Sequence, residues 1–216
     1  MFLLICSSRR WSSPSTMVPP LLGDGGVYRV HIVGNSGVGK VQSTTGRQLA
    51  EILGVPFISL DTLHWNPGWK KATDAEFRER VENALAAAPN GWVVDGNYMA
   101  RLGDIVRARS TDIIWLDPPL LLYLPRLVLR TFLRAFGLQE DCSPGCPDLL
   151  SRAFFSKDSI IWWCISNHRR IRKRERALFA RIGLGVGSDV EHQKMRRLGG
   201  WGSERRRWLE DVERRL

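Results

Sequence analysis

A short apolar segment that ends in a glycine-rich loop constrains this chain more than any other feature. Residues 28–33 read Tyr-Arg-Val-His-Ile-Val, and residues 34–40 continue as Gly-Asn-Ser-Gly-Val-Gly-Lys. A strand that leads through such a loop into a helix matches most of the phosphate-binding P-loop pattern. Its glycines let backbone N–H groups approach phosphate oxygens, and the positive helix N-terminus faces the same anion. The segment therefore predicts a site for a nucleoside triphosphate, with Lys40 on the β- and γ-phosphates.

Two residues interrupt the pattern directly after its lysine. The full motif G-x-x-x-x-G-K-[ST] places a hydroxyl residue after Lys40, but Val41 and Gln42 precede Ser43 here. Each helical residue turns the chain by about 100°, so two extra residues should swing Ser43 to the opposite helix face. Three interpretations remain open: the first turn bulges so that Ser43 or Thr44 returns to magnesium, nucleotide binds with little turnover, or the coding sequence was misread. The predicted nucleotide-binding residues are Gly34, Asn35, Ser36, Gly37, Val38, Gly39, Lys40, Ser43 and Thr44.

Strand-like and helix-like segments alternate after the loop. Strand patterns lie at residues 55–61, 92–95 and 112–117, and a last strand is predicted within residues 182–188. Between the second and third strands, Thr73 and Glu76 form a capping-box pattern ahead of an amphipathic helix. This alternation predicts an α/β fold: a doubly wound parallel sheet of about five strands with helices on both faces.

Acidic residues follow three of the predicted strands. Asp61, Asp95 and Asp117 each end a strand pattern. The carboxyl ends of parallel strands meet at one edge of an α/β sheet, and ligands bind there. Phosphoryl transfer requires oxygen ligands for magnesium, so we predict a metal site formed by Ser43, Asp95 and Asp117, with Asp95 preferred over Asp117.

Positive charge is concentrated late in the chain. The formal net charge is +10, and residues 150–216 hold 17 Lys and Arg against 8 Asp and Glu. An anionic partner is expected for such a surface. Arginines 126, 130 and 134 recur at four-residue intervals and share one helix face. We predict that Lys40, Arg126, Arg130 and Arg170 stabilise the charge of the transferred phosphate.

The first 26 residues differ from the rest of the chain. They are rich in Ser, Pro and Gly and contain no acidic residue before Asp24, so we expect residues 1–26 to form a disordered tail. A mitochondrial presequence, a dispensable extension and a true start at Met17 are the alternatives considered. No apolar run approaches the about 20 residues that span a bilayer. A soluble, cytoplasmic protein without membrane contact is therefore expected.

Taken in order, these motifs resemble P-loop kinases of the adenylate-kinase-related class, particularly the topology modulation proteins, a group assigned as nucleotide kinases. The resemblance runs from about Arg29 to Arg176. It rests on Gly34 to Lys40, Leu60-Asp61 with Trp65 and Pro67-Gly68-Trp69, Asp95-Gly96-Asn97-Tyr98, Leu116-Asp117, Arg126 with Arg130, Gly145-Cys146-Pro147, and Trp162 to Arg170.

The resemblance implies an ATP-dependent phosphotransferase that uses Mg²⁺. It implies a P-loop kinase-like domain over residues 27–216, with a mobile arginine-bearing lid at about 126–175 and a nucleotide or similar small phosphate acceptor. The residues implied to bind that acceptor are Asp61, Trp65, Asp95, Gly96, Asn97 and Tyr98. Two alternatives remain open: a nucleic-acid-associated NTPase, because of the basic C-terminal third, and a non-catalytic nucleotide-binding protein, because of the interrupted P-loop.

Overall fold

The computed structural model describes residues 18–34, 39–136, 146, 160–200 and 202–216. Its strands are β1 (Tyr28–Gly34), β2 (Phe57–Ser59), β3 (Trp65–Asn66), β4 (Lys70–Lys71), β5 (Gly91–Asp95), β6 (Asp112–Leu116) and β7 (Met195–Leu198). Its helices are α1 (Gly39–Leu53), α2 (Leu60–His64), α3 (Asp74–Ala86), α4 (Met99–Leu102), α5 (Ile105–Arg109), α6 (Leu120–Ala135), α7 (Ile160–Ile182) and α8 (Ser203–Arg215), with a short 3₁₀ helix at Val190–His192.

Five parallel strands form the central sheet, in the order β2-β5-β1-β6-β7. The chain starts at the centre with β1, builds β2 and β5 on one side, and then crosses to β6 and β7 on the other. The strand order therefore reverses at β1, and the crevice at such a point is where open α/β sheets bind ligands. The predicted α/β fold, with its parallel sheet of five strands flanked by helices, is confirmed.

The sheet is buried on both faces, as expected for parallel strands connected by helices. On one face, Val30 and Ile32 of β1 pack with Leu49 of α1 and with residues of α6 and α8. On the other face, Val33 joins Trp115 of β6 and apolar residues of α7. The predicted capping box begins α3: the Glu76 N–H donates to the Thr73 hydroxyl at 3.2 Å, and the Thr73 N–H donates to the Glu76 carboxylate at 2.8 Å.

Two strand predictions need correction. The segment 55–61 is a strand only at Phe57–Ser59, because Leu60 and Asp61 already belong to α2. The last strand is Met195–Leu198 rather than part of 182–188, and Gly183 contributes only an isolated bridge to it. In the first case the apolar pattern extends beyond the residues that pair with β5, and in the second the pairing strand lies outside the predicted segment.

Some residues of the segment 1–26, which we predicted to be a disordered tail, contact the rest of the protein. Leu21 is buried, and the N–H groups of Leu22 and Gly23 donate to the Asp112 carboxylate at 2.7 and 3.0 Å. The Trp208 indole donates to the Pro20 carbonyl at 2.9 Å. Residues 20–23 are thus held against the sheet by partners far away in the sequence, which composition does not reveal; residues 1–17 lie outside the described part.

The described helices include none that combines the length and apolar composition of a membrane crossing. Of the lid predicted at 126–175, the described parts are the end of α6, Phe136, Cys146 and most of α7.

Candidate functional site

The glycine-rich segment connects the carboxyl end of β1 to α1. Gly34 is the last residue of β1, and α1 begins at Gly39, so Lys40 lies in the first turn of the helix. The four intervening residues predicted to bind nucleotide, 35–38, lie outside the described residues. The segment is located at the point where the strand order reverses, which is the position that phosphate binding would require.

The two residues that interrupt the motif are built into α1. Val41 packs against the core, and its carbonyl accepts a hydrogen bond from the buried Thr45 hydroxyl at 2.5 Å. The buried Gln42 side chain donates to the Ile32 carbonyl of β1 at 2.9 Å. These contacts fix the start of α1 against the sheet, and they make the two residues part of the helix rather than a bulge.

Ser43 therefore faces the site and not the opposite side. Its hydroxyl donates to the Asp95 carboxylate at 2.6 Å, and so connects α1 to the end of β5. The expected rotation was taken from the position directly after Lys40. In the structure α1 begins at Gly39, and Ser43 in its second turn reaches Asp95 while Thr44 is exposed.

Asp95 is a buried carboxylate with altered acidity. Only 5% of the residue is exposed, and this burial raises its pKa from 3.8 to about 6. The negative charge of Asp61 raises the pKa further, whereas hydrogen bonds from Ser43 and Ser59 oppose the shift. A hydroxyl and a carboxylate in contact supply the hard oxygen ligands that Mg²⁺ prefers, so this donor set fits the ion.

Asp117, the third predicted metal ligand, contacts two arginines. Its buried carboxylate forms ion pairs with Arg172 of α7 at 2.8 Å and with Arg197 of β7 at 2.6 Å. The register of the parallel pair places Arg197 next to Trp115, and so brings its guanidinium to the end of β6. The Asp117 carboxylate thus connects α7 and β7 to the sheet, and its part in a metal site remains a prediction.

The predicted phosphate-binding arginines lie on the two long helices. Arg126 and Arg130 belong to α6, and Arg170 belongs to α7. Arg126 and Arg170 are exposed, and Arg130 is half-buried. All three arginines lie within the segment 126–175 that is predicted to form the lid. Their contact with a phosphate remains a prediction, as it does for Lys40.

Asp61 and Tyr98 meet next to the Ser43–Asp95 pair. The Tyr98 hydroxyl donates to the Asp61 carboxylate at 2.6 Å. Ser59 of β2 pairs with Asp95 of β5 in the sheet. Asp61 follows Ser59 by only two residues in the chain. Gly96 has a φ of 129°, and a Cβ there would lie 2.8 Å from the Cβ of Leu60, so this close approach requires glycine.

Aromatic rings lie next to the Asp61–Tyr98 pair. Trp65 and Trp69 meet edge to face with centroids 5.2 Å apart, and His64 contacts both Trp65 and Tyr98. Trp65 is half-buried, as expected for a ring that could also contact a ligand. Asp61, Trp65, Gly96 and Tyr98, all predicted to bind the acceptor, are thus brought together.

Asn97 was also predicted to bind the acceptor, but its amide is used within the protein. It donates to the Gly34 carbonyl at 3.3 Å and accepts from Arg174 of α7 at 2.5 Å. Arg174 in turn contacts the fully buried Glu175, which accepts from Arg107 of α5 at 2.9 Å. Asn97 thus connects the end of β1 to α7, and its contact with an acceptor remains a prediction. The sequence analysis missed this network, although Glu175 is the single acid within the basic run 169–176.

His31 is a second buried group that the sequence analysis missed. It is 5% exposed in the middle of β1, and its Nε2–H donates to the Gly96 carbonyl at 2.9 Å. Burial lowers its pKa from 6.5 to about 3, and the nearby positive charge of Arg107 contributes in the same direction. The imidazole is therefore neutral and supports the turn that carries Gly96.

Solved structures of kinases are similar to this chain. The shikimate kinase of Bacteroides thetaiotaomicron matches with a TM-score of 0.41 and 20% identity over 88% of this chain and 95% of that one. The shikimate kinase of Acinetobacter baumannii, in complex with shikimate, gives 0.46 and 18% over 88% and 93%. A sugar kinase from Janibacter gives 0.39 and 15% over 88% and 91%. No family model matches the chain. No curated protein is significantly similar to it. Similarities of this size concern the fold and do not assign a substrate or an activity.

Proposed function

We propose that this chain is an ATP-dependent phosphotransferase that acts on a small molecule. The contact of Ser43 with Asp95, directly beside the glycine-rich segment, carries the proposal. A phosphate-binding loop needs a hydroxyl and a carboxylate at its end if it is to act on a magnesium nucleotide. If Ser43 faced away from Asp95, the interrupted motif would lack this hydroxyl and carboxylate pair. The contacts of Val41 with the core and of Gln42 with β1 support a site in which the pair is retained.

In this proposal the chain contributes positioning and charge. Ser43 and Asp95 would hold Mg²⁺, which supplies charge neutralisation at the phosphates when bound. Lys40, Arg126, Arg130 and Arg170 would bind the triphosphate, and α6 and α7 would form the lid predicted at 126–175. Asp61 and Tyr98 would face the acceptor. The resemblance of the sequence motifs to topology modulation proteins supports the same function and implies a nucleotide or similar small phosphate acceptor.

The test measures MgATP binding by calorimetry and phosphoryl transfer by detection of both ADP and product. Ser43→Ala should weaken the magnesium dependence of binding by about tenfold or more, because it removes one oxygen ligand. Ser203→Ala, an exposed hydroxyl at the start of α8, is the matched control and should behave as wild type. Absence of MgATP binding by the wild-type chain would refute the proposal.

A chain that lacks Val41 and Gln42 separates the remaining explanations of the interruption. Transfer by both forms would show that the extra residues are tolerated. Transfer by the shortened form alone would make the present chain a disabled or misread version. ATP binding without turnover in either form would favour the non-catalytic alternative. We expect the shortened chain to be less stable, because Gln42 no longer donates to Ile32.

A nucleic-acid-associated NTPase is the second candidate, and the outer face of α7 favours it. Arg169, Arg170, Lys173 and Arg176 are exposed there, whereas Arg172 turns inward to Asp117. Such a face can bind phosphate backbones. Stimulation of ATP hydrolysis by DNA or RNA, with binding that weakens steeply between about 50 and 200 mM salt, would support this function.

A further inference from the structure

The outer surface of α7 carries a row of exposed side chains that the proposed phosphotransferase function does not use. The row consists of Trp162, Ile165, Arg169, Lys173 and Arg176. These positions recur at intervals of three and four residues, and at about 100° per residue they fall within one sector of the helix. We call these five residues the outer stripe of α7. Arg170, which the proposed function assigns to the triphosphate, lies at the edge of the sector.

The first part of the outer stripe is apolar although it faces solvent. Trp162 is 62% exposed, and Ile165 is 41% exposed. Trp163, at the edge of the same sector, is also exposed. Single exposed apolar side chains are common, whereas a contiguous group of them marks a surface that contacts something else. The start of α7 therefore has the character of an interaction surface.

The adjoining helix α6 presents a second exposed apolar row. Leu121, Leu129, Phe132 and Phe136 share one side of α6 and its C-terminal end, and they are 41% to 79% exposed. The Tyr123 hydroxyl and Nδ1 of His168 lie 2.6 Å apart, so α6 and α7 are in direct contact. Two neighbouring helices thus both expose large apolar side chains.

The second part of the outer stripe is basic, and acidic residues do not balance it. Together α6 and α7 contain ten Arg and Lys but a single acid, Glu175, which is fully buried. Arg172 and Arg174 turn inward and contact Asp117 and Asn97. The three cations of the outer stripe are exposed instead. The outward charge of α7 is therefore positive.

This combination of groups favours one class of partner. A second copy of the stripe would bring like charges together, which is unfavourable. A nucleic acid would neutralise the cations, but its phosphates offer no packing surface to the aliphatic side chains of Ile165 and Leu129. A bilayer that contains anionic lipids offers both phosphate groups for the cations and an apolar boundary for the apolar side chains.

We propose that the outer stripe of α7 binds the surface of an anionic lipid bilayer. Trp162 and Ile165 enter the boundary between headgroups and acyl chains, where tryptophan is favoured. The three cations that follow along the helix contact lipid phosphates. Apolar insertion and a basic patch are each weak alone, and together they give stable attachment. The inference is independent of the phosphotransferase activity, and it replaces the absence of membrane contact that we expected from the sequence.

Sedimentation with vesicles tests the inference on the full-length chain. Vesicles of phosphatidylcholine alone are compared with vesicles that also contain phosphatidylglycerol, and we expect tight binding to the anionic vesicles only. Lys173→Gln and Arg176→Gln should each weaken this binding about fivefold, and Ile165→Ser should weaken it by a similar factor. Lys70→Gln in β4 and Val190→Ser are matched controls, because both residues are exposed outside α6 and α7. The controls should bind as wild type does.

Fluorescence quenching separates insertion from adsorption on the headgroups. Bromine atoms on the acyl chains quench those tryptophans that enter the bilayer. The double variant Trp162→Phe/Trp163→Phe keeps aromatic rings, so it should still bind but should lose the quenching. Binding without quenching, and unaffected by Ile165→Ser, would reduce the contact to electrostatics and overturn the inference. Equal binding to both kinds of vesicle, or binding to single-stranded RNA but to neither, would overturn it as well, the latter in favour of a nucleic-acid surface.

Discussion

Replacing Asp95 by asparagine should stabilise the protein at neutral pH. Asp95 is 5% exposed, and its pKa in the folded protein is about 6 against 3.8 when unfolded. A pKa that is higher in the folded than in the unfolded protein means that the protonated side chain favours the folded state more than the charged carboxylate does. The stability that the protonated Asp95 contributes is therefore present below pH 3.8 and is lost as the pH rises through about 6.

The magnitude follows from the shift. About two pKa units correspond to about 3 kcal/mol at about 1.4 kcal/mol per unit, and near-complete burial leaves little screening by water. Asparagine has no charge to desolvate, and its amide oxygen can still accept from Ser43. Asp95→Asn should thus be about 2 to 3 kcal/mol more stable than wild type above pH 7, with a difference close to zero at pH 4.

Urea denaturation without Mg²⁺ at pH 4, 6 and 8 measures this difference. Asp104→Asn is the control, because Asp104 is an exposed aspartate directly before α5. It should change stability by less than about 0.5 kcal/mol at every pH. The same Asp95→Asn variant should lose magnesium-dependent ATP binding, so that gained stability accompanies lost function. Equal destabilisation of Asp95→Asn at pH 4 and pH 8 would show that the native carboxylate is stabilising, and would refute the reasoning.

Three further predictions concern other buried groups and the P-loop. The pKa of His31 is about 3 when folded and 6.5 when unfolded, so acidification from pH 6.5 to pH 4 should lower the free energy of unfolding by about 3 kcal/mol. His31→Gln should remove this part of the pH dependence. An unchanged dependence of the unfolding free energy on pH, measured by urea titration, would contradict the prediction. Glu175→Gln should destabilise the protein by about 3 to 5 kcal/mol, because it leaves Arg107 buried without its carboxylate partner. The control Glu210→Gln, at an exposed position, should change stability by less than about 0.5 kcal/mol. A loss below about 1 kcal/mol for Glu175→Gln would argue against a structural ion pair. Lys40→Ala should abolish ATP binding in calorimetry, and undiminished binding would disprove the P-loop assignment.

Local patterns were sufficient to predict several parts of this fold. The run that became β1, the capping box at Thr73, and the acids at the ends of strands all depend on residues close together in the sequence. Strand polarity alone brings Asp95 to the edge of the sheet, and its role there as a ligand remains a prediction.

Contacts between distant residues could not be predicted from the sequence. Asp117 was predicted as a metal ligand because it ends a strand pattern, and Asn97 as an acceptor ligand from the family resemblance. Neither argument indicated their contacts with Arg172 and Arg174 on α7. Nothing in the run 169–176 indicates which of its arginines turn inward. The rotation of Ser43 was mispredicted for a different reason, since the start of α1 is set by contacts of Gln42 with β1.

The bond between Asn97 and α7 has a consequence for the order in which this protein folds during synthesis. Glu175 is 78 residues from Asn97 and 68 from Arg107, and Asn97 in turn holds the carbonyl of Gly34. Long sequence separations slow folding, and N-terminal segments emerge from the ribosome first. The strand that opens the domain is thus made early but acquires this support only when α7 has been translated.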